Sequence, residues 1–232
     1  MFKKLYPDFP FECTLTKECE ERMGQDGFCD IISGYTKLDG KEVAFKAAFP
    51  EQIHSVEYPY EFTDYSHVES IYNEEKCLEI LDKYNFVPEV FGRKKFGKYV
   101  VVYFEKLNAT SLNEIHEQYR WQLSINKTFE HLLDLYEDER FVFGNLCLDD
   151  IMIDNNDKVY LRNFCNGKFC EKQYWNQDLI SFIRSIAGYE SRLDENKRNK
   201  LLAFAFGLTY RKNNFVDDYK RAVKDFIRIL SD

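Results

Sequence analysis

Lys46 closes the apolar run VAFK, Glu74 and Glu75 follow on a later segment, and residues 143 to 165 read FGNLCLDDIMIDNNDKVYLRNFC. A fixed ammonium can hold anionic oxygens, and a carboxylate from a neighbouring helix can hold the ammonium in turn. The 143–165 stretch runs turn, apolar triplet, polar turn, apolar triplet, and ends in Arg162-Asn163-Phe164. That is the outline of a site for phosphoryl transfer, which needs one carboxylate to orient the incoming hydroxyl and charged oxygens to hold magnesium. Asn145 and Asn163 occupy the positions where those carboxylates are needed, and Asp150 is an acid that remains.

The elements that must position these residues follow from patterning. The first fifty residues alternate apolar and polar, with glycines at 24, 27, 34 and 40, and predict hairpin strands around Phe28 to Tyr35 and Glu42 to Ala47. A polar, aromatic insertion, PEQIHSVEYPYEFTDY, comes next. Val68, Ile71, Tyr72, Leu78 and Leu81 then recur at helical spacing, with Ser66 as N-cap. Two further strands join at RKKFGK, and the continuously apolar Tyr99 to Phe104 reads as central. From Ser111 the pattern turns helical: SLNEIHEQY, QLSINKTFEHLLDLYEDE, YWNQDLISFIRSIAGYE closed by Gly188, NKRNKLLAFAFGL and DDYKRAVKDFIRIL. Strands in the first 105 residues and helices in the last 120 predict an α+β fold with two lobes: 1–104 β-rich with one helix, 105–108 a linker, and 109–232 helical.

Composition narrows the function. The chain has 232 residues, 44% of them hydrophobic and 31% charged, which is ordinary for a globular protein. Its net charge of −8 disfavours nucleic acid, because phosphate-backbone affinity comes from Lys and Arg. Seven cysteines, an odd number without a CxxC pair, read as reduced thiols. No stretch is long and apolar enough to span a membrane or to form a secretory signal core, so the expected location is cytoplasmic or nuclear.

The order of glycine segment, strand with Lys, helix with Glu, strand, linker, helix and the 143–165 stretch resembles the protein-kinase-like superfamily over roughly residues 20 to 190. The resemblance implies a two-lobed kinase-like fold with a reduced helical second lobe. It places Gly24, Asp26 and Cys29 at the three glycine positions of G-x-G-x-x-G, so that Asp26 would set a negative charge near phosphates. It pairs Lys46 with Glu74, or alternatively Glu75, and makes Glu105 to Leu107 the hinge whose backbone would receive an adenine. Phe104 would border or fill that pocket. Phe143-Gly144-Asn145-Leu146 with Asp150 resembles H-x-D-L-x-x-x-x-N, and Asn163-Phe164-Cys165 resembles D-F-G, eighteen residues beyond Asn145.

Asn145 cannot take a proton as a carboxylate does, and neutral Asn163 removes the main magnesium anchor. Asp150 alone is a weak metal ligand. Only ten residues separate Cys165 from Asn176, too few for a peptide-presenting activation segment. Asp178 fits two roles, the buried acid that braces a catalytic loop and an ordinary acid at a helix N-terminus. These substitutions imply a degenerate, pseudokinase-type protein that binds and regulates a protein partner, an active kinase or its substrate among them. No cofactor is expected, a magnesium site is disfavoured, and metal-independent ATP binding stays open through Lys46. The alternatives are an active divergent kinase using Lys46, Glu74 and Asp150 on a small molecule or an unusual protein, and an interaction domain unrelated to kinases.

Overall fold

Alternating hydrophobicity in the first hundred residues builds a five-stranded antiparallel sheet. The computed structural model describes residues 6–26, 31–48, 53–58, 61–170, 175–189, 193–209 and 216–231. The chain is α+β and divides into two compact units, Met1–Leu107 and Asn108–Asp232.

In the first unit the elements are β1 (Thr14–Leu15), α1 (Lys17–Asp26), β2 (Ile31–Leu38), β3 (Lys41–Ala48), β4 (Ile53–Tyr58), β5 (Glu61–Ser66), α2 (His67–Ile80), β6 (Val90–Phe96) and β7 (Tyr99–Glu105). The sheet order is β1-β2-β3-β7-β6. Asp39 and Gly40, both at positive φ, turn β2 into β3. Gly97, φ 56, is the first residue of the two-residue turn between β6 and β7. One face of the sheet packs Val43, Phe45, Ala47, Tyr99, Val101 and Tyr103 against Tyr6, Phe9, Phe11 and Cys19. Period-two alternation sends Lys46 to the other face, where α2 lies with Val68, Ile71, Cys77 and Leu78 buried.

One sequence expectation fails here. Gly24 and Asp26 belong to helix α1, not to a glycine loop. Thr16 caps this helix, accepting the Cys19 N–H at 3.3 Å, and Glu18 and Glu20 favour its positive end. The cap and the burial of Cys19 outweigh the turn preference of one glycine. Cys29 and Phe28 lie outside the described residues. Within the tyrosine-rich insertion β4 pairs with β5 in antiparallel register, and Ser66 ends β5 directly ahead of α2.

The second unit holds β8 (Ala109–Ser111), α3 (Gln118–Glu139), β9 (Phe141–Val142), β10 (Ile151–Asp154), β11 (Val159–Leu161), β12 (Lys168–Phe169), α4 (Trp175–Tyr189), α5 (Glu195–Thr209) and α6 (Val216–Ser231). Helix α3 buries Trp121, Ile125, Phe129, Leu132 and Leu135, a stripe at helical spacing. Phe129 meets Phe182 of α4 and Phe226 of α6 edge-on at 5.5 and 5.3 Å, which centres the helical core. Strands β11, β10 and β8 form one small sheet, and β12 pairs with β9. Arg120 of α3 clamps the β10–β11 turn through the Asp157 carboxylate and the Asp154 carbonyl.

The segment 111–119 differs from the helix expected there. Ser111 ends β8, its hydroxyl accepts the Asn113 N–H at 3.2 Å, and a 3-10 turn spans Leu112–Glu114 before α3 begins at Gln118. Gly188 lies inside α4 instead of closing it, on an exposed side where a missing side chain leaves no void.

Candidate functional site

Lys46 sits in β3 between Phe45 and Ala47, both buried in the opposite face of the sheet, so strand geometry aims it at α2. Its ammonium donates to Glu74 Oε2 at 2.6 Å. The Glu74 side chain is 4% exposed, which leaves the pair little screening by water. Glu75 faces a different cation: Arg93 of β6 donates to its Oε2 at 3.2 Å and stacks on Tyr72 at 4.6 Å. Burial raises the Glu75 pKa, and Arg93 opposes the shift. Helix α2 is thus tied to the sheet at two adjacent carboxylates. At the end of β7 the Glu105 N–H is engaged by the Glu89 carbonyl at 2.8 Å, while Leu107 is half-buried at the end of this unit.

In the second unit the loop after β9 is held by a buried acid. Asp178, in the first turn of α4, is 5% exposed and accepts the N–H groups of Phe143 and Gly144, each at 2.7 Å. It is therefore the brace of this loop and more than a helix-end charge. Burial pushes its pKa up to about 7, against the two amide donors. Gly144 needs its glycine: its φ is 91°, and a Cβ would stand 2.6 Å from the Asn166 carbonyl oxygen. The Phe143 and Phe164 rings pack at a tilt of 52° with centroids 4.7 Å apart, joining this loop to the turn at 163–165. The Leu148 N–H is taken by Ser185 Oγ at 3.1 Å, a second tie to α4.

Asp150 and Asn163 come together; Asn145 does not join them. Asn145 is exposed and makes no side-chain hydrogen bond among the described residues. Asp150, 3% exposed, has both carboxylate oxygens engaged. Its Oδ1 accepts from Asn163 Nδ2 at 3.0 Å, and its Oδ2 accepts from the Cys147 N–H and thiol, both at 2.9 Å. Asn163 holds left-handed backbone angles, φ 70 and ψ 53, and its Oδ1 accepts from the Cys165 thiol at 3.3 Å. Burial raises the Asp150 pKa, opposed by the hydrogen bonds from Cys147 and Asn163. Burial and the adjacent Asp150 charge push the Cys147 thiol up to about 12, so it stays protonated and donates.

The chain matches no protein-family model and no curated protein. A magnesium ion prefers charged, outward-facing oxygens at short range. The residues present do not fit it: Asp150 is the one buried carboxylate at this turn, its oxygens point into Asn163 and Cys147, and the other residue is an amide. Among the described residues no group of three or more His, Cys, Asp or Glu side chains has an arrangement that could hold a metal ion. Cys147 was missed by sequence reasoning; its i, i+3 spacing to Asp150 is the signal that could have found it.

Proposed function

We propose that this chain is a kinase-like protein without phosphoryl transfer, which works as a binding scaffold or regulator of a protein partner, an active kinase or its substrate. On this reading the two units are the β-rich and the reduced helical lobes, with residues 105–108 as hinge. The observation that carries the proposal is the internal use of Asp150 by Asn163 and Cys147. An amide N–H takes the place a cation would have beside the carboxylate, so the loop holds its shape without metal. The Asp178 brace and the Phe143–Phe164 ring contact support the same reading, because they maintain the frame independently of any ligand.

A second reading keeps an active, divergent kinase acting on a small molecule. The contact between Lys46 and Glu74 favours it, since that pair would present an ammonium to nucleotide phosphates. A phosphotransfer assay with ATP and magnesium separates the two. The scaffold predicts no transfer above background to itself, to added kinase substrates or to small hydroxyl compounds. Robust magnesium-dependent transfer that disappears in Lys46→Ala would establish the second reading instead.

A further inference from the structure

Strand β6 is the outermost strand of the five-stranded sheet, bonded to β7 on one side, and no other strand lies along it among the described residues. The register decides which of its backbone groups face outward. Phe96 and Tyr99 flank the two-residue turn, so they exchange hydrogen bonds, and bonded pairs alternate from there. Lys94 with Val101 is the next bonded pair. Arg93 opposite Val102 and Lys95 opposite Val100 therefore direct their N–H and C=O groups away from β7. The β3 ladder agrees, because Val100 and Val102 face Ala48 and Lys46 on that side.

The charge along this edge opposes that of the chain. Net charge is −8, yet residues 93 to 98, RKKFGK, carry four cations and no acid. Arg93 is answered by Glu75, and Lys98 lies 3.9 Å from Asp8. Lys94 and Lys95 are exposed and have no ion-pair partner among the described residues. Lys94 lies on the aromatic face, 6.0 Å from the Tyr103 ring, and alternation puts Lys95 on the opposite face.

We propose that β6 is a docking edge for an extended acidic segment of a partner protein, added as a sixth strand. Its backbone bonds to Arg93 and Lys95, and two successive acidic side chains, one on each face, lie beside Lys94 and Lys95. Lysines on an open edge discourage indiscriminate pairing. An acidic strand is the partner that such a guard admits, with backbone bonds for affinity and charge for selection. The proposal does not depend on whether the chain transfers phosphate.

The test uses the full chain and fluorescein-labelled ten-residue peptides of alternating Thr and Val with a central Glu-Glu or, as control, Lys-Lys. Anisotropy should show binding of the Glu-Glu peptide at least tenfold tighter than of the control. Amide exchange at Arg93 and Lys95 should slow on binding. Lys94→Glu/Lys95→Glu should weaken binding tenfold or more. Lys95→Pro, which removes an outward N–H at an edge position that tolerates proline, should abolish it, with folding checked by circular dichroism. Absence of Glu-Glu binding at millimolar peptide overturns the proposal. So does binding without protection of those two amides, unchanged binding in both variants, or tighter binding of a single-stranded oligonucleotide than of the peptide.

Discussion

Asp178 sits in a core position with two backbone amides and, among the described residues, no cation to offset a negative charge. A carboxyl whose folded-state pKa is raised from 3.8 to about 7 keeps a proton that the unfolded chain has released. Its contribution to stability is therefore greatest in acid and is lost as pH rises from about 4 to about 7, by a few kcal/mol at most. Urea midpoints measured between pH 4.5 and 7.5 should show this slope in the native sequence and a flatter one in Asp178→Asn; an unchanged slope contradicts the assignment. Asp150 gives a second residue-scale expectation. In Asp150→Ala the Cys147 thiol loses an adjacent charge and its acceptor, so its alkylation, followed by peptide mass spectrometry, should speed up. Stability should drop by about 2 kcal/mol as the half-buried Asn163 and Cys147 donors lose their acceptor.

At the scale of elements, helix α2 is fixed to the sheet through Lys46–Glu74 and Arg93–Glu75. Removing the Lys46 ammonium takes a close charged partner from the buried Glu74 carboxylate, so Lys46→Ala should lower unfolding stability by about 3 kcal/mol even with no activity to lose. The loop braced by α4 has a different weak point. Gly144→Ala combines a left-handed backbone with a contact to a carbonyl oxygen that cannot move aside easily. A loss of about 2 kcal/mol or more is expected from thermal unfolding. Elements were legible in the sequence where one period ran long enough to dominate: the stripe on α3 and the apolar β7 are examples. They were hidden where a single residue type misled. Gly24 suggested a loop although Thr16 and Glu20 favour a helix, and the polar SLNEIHEQY masked a 3-10 turn capped by Ser111. The β4–β5 ribbon was obscured because its alternation mixes acids with tyrosines instead of separating apolar from polar.

For the molecule as a whole, strands concentrate in the unit ending at Leu107 and helices in the unit that follows, as a mixed α+β chain. No helix among the described residues is long and apolar enough to cross a membrane. Spacing along the sequence brought Asn145, Asp150 and Asn163 to notice, but which of them meet depended on the turn that joins β11 to the 163–165 segment. Asp150 is engaged by its own chain, and on the scaffold reading proposed above it does not recruit magnesium with ATP. Thermal-shift titration with ATP in EDTA and with ATP plus magnesium measures this most directly. The account predicts midpoints that coincide in the two series, with whatever shift ATP gives through Lys46 present in both. A magnesium-dependent rise that is absent in Asp150→Ala would contradict it.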